Sequence, residues 1–223
     1  MDVEVKSVQA RAALHRALGD TARLAIVDAL STSDRTPGQL REIVRLDWNL
    51  LAFHLRVLED VGVIERRPSE GDGRRRYVRL VATTLDRLGA THDAPVITHP
   101  LFVCTANSAR SQFAAGLWRQ QTGRAADSAG AEPAARVHPL AVETAAVYGV
   151  DLRRARPRGY EEVKRAPDVV VSVCDRALEA TPPFEVPTLH WSIPDPANGG
   201  RALFEVAFAD IADRVARLTG LAA

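Results

Sequence analysis

The chain has 223 residues, 46% hydrophobic and 26% charged, with a formal net charge of +1, which fits a soluble globular protein of one large or two small domains. No apolar run reaches the roughly 18 residues a membrane span needs, and Met1 to Lys6 lacks the apolar core of a secretory signal, so no membrane partner is expected. Two cysteines, Cys104 and Cys174, are too few for a disulfide framework and point to a reducing cytoplasm, and near-neutral charge means that any nucleic-acid binding must come from local clusters.

Residues 1–90 read as four helices followed by a hairpin. A helical pattern covers Val8 to Leu18 and ends at Gly19. A second follows Asp20 and carries Leu24, Ile26, Val27 and Leu30. A third opens at Thr36-Pro37, where a first-turn proline has no intrahelical N–H to lose, and carries Leu40, Ile43 and Val44. Asp47 is an N-cap for a fourth, with Leu51, Leu55 and Leu58 on one face, stopping near Gly62. Two strand-like runs, Val63 to Arg67 and Arg75 to Val81, flank a turn-rich Pro68-Ser-Glu-Gly-Asp-Gly.

That order is the order of a winged helix-turn-helix. Arg66, Arg67, Arg74, Arg75, Arg76 and Arg79 in the hairpin stand against Glu65, Glu70 and Asp72, and an arginine-rich hairpin suits phosphate contacts. The fourth helix would enter the major groove of operator DNA with Trp48, Asn49, Ala52 and Phe53. The run from Leu50 to Arg67, followed by Gly73-Arg-Arg-Arg-Tyr-Val-Arg-Leu, resembles the recognition helix and wing of the ArsR family of bacterial repressors, and Ala17 to Leu30 resembles that family's opening helix pair. The resemblance implies a homodimer, formed through the N-terminal domain, on a near-palindromic operator. Many ArsR members sense metals through cysteines near the recognition helix. Here residues 1–103 contain none, and His15 and His54 do not make a ligand set, so no metal site is expected.

Residues 91–97, Thr91-His-Asp-Ala-Pro-Val-Ile, read as a linker: polar, then interrupted by Pro95. From 98 to 223 strands and helices alternate. Strands are expected at Pro100 to Val103, Ala125 to Ser128, Asp168 to Val173 and Glu185 to Trp191. Helices are expected at Gln112 to Gln121, Pro139 to Tyr148 and Phe204 to Leu218. The valine run at 169–171 suits a parallel strand covered on both faces. The fold class expected for this half is a doubly wound α/β domain with a four-stranded parallel sheet. Ligands of such sheets sit beyond the carboxyl ends of the strands, and Cys104, Cys174 and the loop from Trp191 to Pro196 all fall at such ends.

The chemistry concentrates in Cys104-Thr-Ala-Asn-Ser-Ala-Arg-Ser. A thiolate is a nucleophile. The loop amides of Thr105, Ala106, Asn107, Ser108 and Ala109, and the start of the following helix, favour an anion. Ser111 can donate a hydrogen bond to the thiolate, and Arg110 offers a planar fork to two oxygens of a tetrahedral oxyanion. Asn107 tolerates the unusual dihedrals such a loop requires. Asp195, between Pro194 and Pro196, is the best candidate for an acid that protonates the leaving oxygen.

This loop closely resembles the signature of low-molecular-weight protein tyrosine phosphatases and of the arsenate reductases built on their fold. Ser128-Ala-Gly, Arg136-Val-His-Pro-Leu-Ala-Val-Glu, His190-Trp and Asp195-Pro-Ala point to the arsenate reductase branch. Where the phosphatases carry tyrosines after the Asp-Pro pair, this chain has Ala197-Asn-Gly, so a small oxyanion, arsenate or phosphate, is the better fit. The resemblance implies that Cys104 attacks arsenate, that Arg110 and the loop amides hold its oxygens, and that Asp195 acts as acid. Thioredoxin-coupled members use two further cysteines. Cys174 stands where the first would be, and none follows it. No bound cofactor is implied. The reductant is an external thiol, of low molecular weight or from a thioredoxin or redoxin system, acting on the Cys104 adduct or on a Cys104–Cys174 pair. Two alternatives stand beside a DNA-binding arsenate reductase: a phosphatase, and a repressor whose C-terminal domain only senses oxyanion or thiol redox state.

Overall fold

The structure, a computed structural model, describes residues 2–81, 84 and 97–219. The chain divides into two compact units, residues 1–69 with 73–92 and residues 70–72 with 93–223. The linker expected at 91–97 therefore lies outside the described residues except for Ile97. That residue is buried in the core of the second unit.

The first unit is built from helices α1 (Asp2–Leu18), α2 (Thr21–Ser31), α3 (Pro37–Val44) and α4 (Trp48–Asp60) and an antiparallel pair, β1 (Ile64–Pro68) with β2 (Arg76–Leu80). Each helix after the first starts where a side chain satisfies an otherwise orphaned backbone N–H. Asp20 accepts from the N–H of Arg23 at 3.0 Å, and Asp47 from that of Leu50 at 2.9 Å. Thr36 and Gln39 close a reciprocal capping box with Pro37 in the first turn. The turn from α3 to α4 is made by Arg45, whose φ of 53° is left-handed without the usual glycine. Its N–H bonds back to the Arg41 carbonyl at 2.8 Å. Leu40 (α3) and Leu51, Leu55 and Leu58 (α4) close over Ile26, Val27 and Leu30 (α2), with Val63, Ile64 and Val78 from the hairpin. Removing one of these leucines costs about 2–5 kcal/mol. The first helix starts at Asp2, six residues before the point its periodicity indicates.

In the second unit four parallel strands stand in the order β4-β3-β5-β6: β3 (Pro100–Cys104), β4 (Asp127–Gly130), β5 (Val169–Ser172) and β6 (Thr188–His190). Helices α5 (Arg110–Thr122), α6 (Pro139–Val147), α7 (Asp175–Glu179) and α8 (Arg201–Thr219) connect and cover them. The central strands β3 and β5 are buried along their whole length, which explains why they read as unbroken apolar runs. Phe102 lies between Trp118 and Trp191, with ring centroids 6.3 and 5.9 Å away. Truncating it to alanine costs about 3–5 kcal/mol.

The structure corrects several boundaries. The second strand begins at Asp127 rather than Ala125, and the fourth is confined to Thr188–His190. Helix α5 starts at Arg110, so Arg110 and Ser111 belong to its first turn and not to the loop. Helix α7 is an addition to the expected elements. It has only five residues, too few to show a period, and its N-cap is a cysteine. No helix among the described residues is long and apolar enough to cross a membrane.

Candidate active site

From β3 the chain goes out to β4 on one side and returns to β5 on the other, so the strand order reverses between β3 and β5. A crevice forms outside the carboxyl ends of strands at such a switch point. Cys104 ends β3, and Cys174 follows β5. The two strand ends are tied by a hydrogen bond from the Val173 N–H to the Val103 carbonyl at 2.8 Å.

The loop between Cys104 and Arg110 is fixed from outside. The carbonyls of Thr105, Ala106 and Ser108 accept from the N–H groups of Glu132, Ala134 and His138, each at 2.9 Å, and that of Ala109 from Phe113 in α5, also at 2.9 Å. In a trans peptide the N–H of the next residue points away from the carbonyl. Four carbonyls held outward therefore aim the N–H groups of Ala106, Asn107, Ala109 and Arg110 inward. One of them is seen to do so: the Asn107 N–H donates to Cys104 Sγ at 3.2 Å. Gly130 is needed beside this loop, because a Cβ there would lie 2.4 Å from the Thr105 carbonyl oxygen and 2.9 Å from the Asn107 nitrogen.

Ser111 Oγ lies 3.0 Å from Cys104 Sγ, and the direction of its proton follows from its neighbours. The Arg158 N–H, which can only donate, reaches Asn107 Oδ1 at 3.0 Å. That sets the Asn107 amide so that its Nδ2 donates to Ser111 Oγ at 2.8 Å. The serine proton is left for the sulfur. Gln112 Nε2 donates to the Asn107 carbonyl at 3.0 Å and to the Arg156 carbonyl at 3.2 Å. Asn107 is fully buried with a left-handed φ of 48°, and this network holds it there. Two hydrogen-bond donors thus converge on one sulfur at the floor of an amide-lined loop.

Arg110 is buried. Its Nη2 donates to Asp195 Oδ2 and its Nη1 to the Ile193 carbonyl, both at 2.8 Å. Burial alone would lower its pKa, but the negative charge of Cys174, Cys104 and Asp195 outweighs burial and raises it, so the guanidinium stays charged. Asp195 accepts from the Ala197 N–H at 3.1 Å, which holds the proline-flanked loop. Cys174 Sγ lies 3.5 Å from Thr105 Oγ1 and accepts from the Ala177 N–H at 3.4 Å, capping α7. Burial pushes its thiol pKa up, aided by Cys104, against the opposing pull of Arg110. Both cysteines are free thiols.

The structure thus brings Cys104, Thr105 to Ala109, Arg110, Ser111, Cys174 and Asp195 to one sheet edge. Sequence reasoning missed Gln112, Arg158 and the part played by Gly130. Among the described residues no three His, Cys, Asp or Glu side chains gather as a metal site.

In the first unit Trp48, Asn49, Ala52 and Phe53 are all exposed along the N-terminal half of α4, and the Arg41 guanidinium sits 4.6 Å from the Trp48 ring centroid. Arg66 pairs with Glu59 at 2.9 Å, Arg67 with Glu65 at 2.8 Å, and Arg79 with the same Glu65. Arg74, Arg75 and Arg76 are exposed near the turn.

Residues 99–222 match the family model for low molecular weight phosphotyrosine protein phosphatase. The arsenate reductase of Halalkalibacterium halodurans is 36% identical over 102 residues, 44% of this chain and 73% of that protein. Arsenate reductase 2 of Staphylococcus saprophyticus is 32% identical over 119 residues, 51% of this chain and 90% of its own length. The tyrosine phosphatase Wzb from Escherichia coli K30, solved in complex with sulphate, aligns with a TM-score of 0.50 at 20% identity, over 55% of this chain and 96% of that one, a likeness of fold. The amide-lined cysteine loop at the switch point of a four-stranded parallel sheet and these similarities lead to one conclusion: the chain belongs to the low molecular weight phosphotyrosine protein phosphatase family, and its C-terminal half is an enzyme domain of the arsenate reductase and phosphatase type.

Proposed function

We propose that this protein reduces arsenate to arsenite with Cys104 as nucleophile and that its N-terminal half binds operator DNA. The observation that carries the first part is the pair of donors, the Asn107 N–H and the Ser111 hydroxyl, on Cys104 Sγ inside a loop whose carbonyls are tied outward. The relatives named arsenate reductase and the Ala197-Asn-Gly that follows Pro196 favour a small oxyanion over an aryl phosphate.

Before substrate binds, Arg110 is paired with Asp195. An entering dianion competes for the same fork, and Arg110 turns from the carboxylate to two substrate oxygens. Asp195, released from Arg110, is then the acid that passes a proton to the departing oxygen. Cys104 Sγ attacks arsenic. An S–As bond forms, an As–O bond breaks and the oxygen leaves as water. A second thiolate next attacks Cys104 Sγ. The S–As electron pair stays on arsenic, which goes from As(V) to As(III), while the two sulfurs are oxidised to a disulfide. The second thiolate is an external thiol, from a low-molecular-weight donor or a redoxin, or it is Cys174. Free thiols at this edge are consistent with a reducing cytoplasm.

Thiol-dependent arsenite release tests the reading. Wild type should produce arsenite and Cys104→Ser none. Turnover of p-nitrophenyl phosphate without arsenate reduction would assign the site to a phosphatase. Cys174→Ala should stop turnover with redoxin donors if Cys174 resolves the adduct; unchanged turnover would restrict it to capping α7.

For the DNA-binding part, the support is the row of exposed Trp48, Asn49, Ala52 and Phe53 on one capped helix, next in sequence to a hairpin with three exposed arginines. In this reading the unit is an ArsR-type winged helix that dimerises on a two-fold operator, and oxyanion binding or thiol oxidation at the C-terminal site sets its affinity.

A further inference from the structure

We propose that Tyr160 is a substrate-binding residue of the Cys104 site, its phenolic O–H donating a hydrogen bond to the oxyanion held in the loop. The proposal rests on the reading of that loop as an oxyanion site. Tyr160 opens the short 3-10 turn Tyr160–Glu162. The residues just before it are fastened to the loop at three points. The Arg158 N–H holds Asn107 Oδ1, the Arg158 carbonyl accepts from the Gly130 N–H at 3.0 Å, and the Arg156 carbonyl accepts from Gln112. The backbone that delivers Tyr160 is therefore part of the wall around Cys104.

The tyrosine ring meets Phe184 edge to face, with centroids 5.7 Å apart. Phe184 comes from the segment that follows Cys174 and α7, so the ring joins the β4-to-β5 crossover to that segment. Its hydroxyl oxygen is buried and has no hydrogen-bond partner among the described residues. Leaving a buried hydroxyl unpaired costs about 1–3 kcal/mol. Nothing in the packing of the ring requires that cost, since phenylalanine would fill the same space. A ligand with acceptor oxygens would remove it. Burial, with the negative charge of Cys174 and Cys104, pushes the phenol up to about 12. The group thus stays protonated, as a donor must.

The role is distinct from that of the residues after Pro196. No tyrosine follows there, and Tyr160 lies on the β4-to-β5 crossover. A donor at this position recognises an oxygen of arsenate or phosphate, and phosphate serves as the probe because it cannot be reduced.

The test is calorimetric binding of inorganic phosphate to full-length wild type, Tyr160→Phe and Arg110→Lys, with thermal melts of all three. Tyr160→Phe should bind phosphate about tenfold more weakly, the loss of one hydrogen bond to a charged acceptor. Its melting temperature should be unchanged or higher, because the free protein loses no hydrogen bond. Wild-type phosphate affinity in Tyr160→Phe, alongside weakened binding in Arg110→Lys, would overturn the role of Tyr160 while keeping the oxyanion site. A lower melting temperature with unchanged affinity would make the hydroxyl structural and overturn it as well. Absence of phosphate binding in all three would overturn the oxyanion reading and the proposal with it.

Discussion

At the scale of the residue, the chemistry of the loop is local in sequence while its rigidity is not. A cysteine, five residues, an arginine and a serine fit in one short run, so the nucleophile, the fork and the hydroxyl are legible from the order of residues alone. What holds them is not. Gly130 comes from the end of β4, and Arg158 from the crossover to β5, and only the folded chain puts them against Asn107. Gly130→Ala tests how tightly the loop is shaped. The new methyl would collide with the Thr105 carbonyl and the Asn107 nitrogen, which are backbone atoms and cannot rotate away. Overpacking of this kind costs about 1–3 kcal/mol. We expect a lower melting temperature and at least a tenfold weaker phosphate affinity, measured by thermal melt and calorimetry. An unaltered affinity would mean that the loop can shift without losing its geometry.

At the scale of the element, side-chain caps are the most legible signals. Asp20, Thr36 and Asp47 each mark a helix start, because a cap is a short-range interaction written in neighbouring residues. Helix α7 gives no such signal, because five residues carry no period and a cysteine is a poor capping residue. The hairpin holds a different lesson. Six arginines are readable in the chain, but their partners are not: Arg66, Arg67 and Arg79 are matched by Glu59 and Glu65 across the strands and from α4. Arg74, Arg75 and Arg76 are exposed near the turn, and each arginine that meets a phosphate releases counterions. Replacing the three together with alanine should flatten the salt dependence of DNA affinity. An unchanged slope, from titrations at several salt concentrations, would remove the hairpin from the phosphate contacts.

At the scale of the molecule, the described residues form two hydrophobic cores that share no residue. One gathers Leu14 to Leu80 and the other Ile97 to Leu218. Each core belongs to an order of elements complete in itself, helices with a hairpin in one case and alternating strands and helices in the other. Cys104→Ser replaces one buried atom and keeps a hydrogen-bonding side chain beside Ser111, so it should remove arsenite formation and leave the first core undisturbed. We expect this variant to bind a cognate operator fragment with wild-type affinity in the absence of oxyanion. Adding arsenate should then discriminate two modes of control. If bound oxyanion is the signal, operator affinity shifts in Cys104→Ser as in wild type. If the covalent adduct or the disulfide is the signal, the shift disappears. Loss of operator binding by Cys104→Ser before any oxyanion is added would show that the two halves do not function independently.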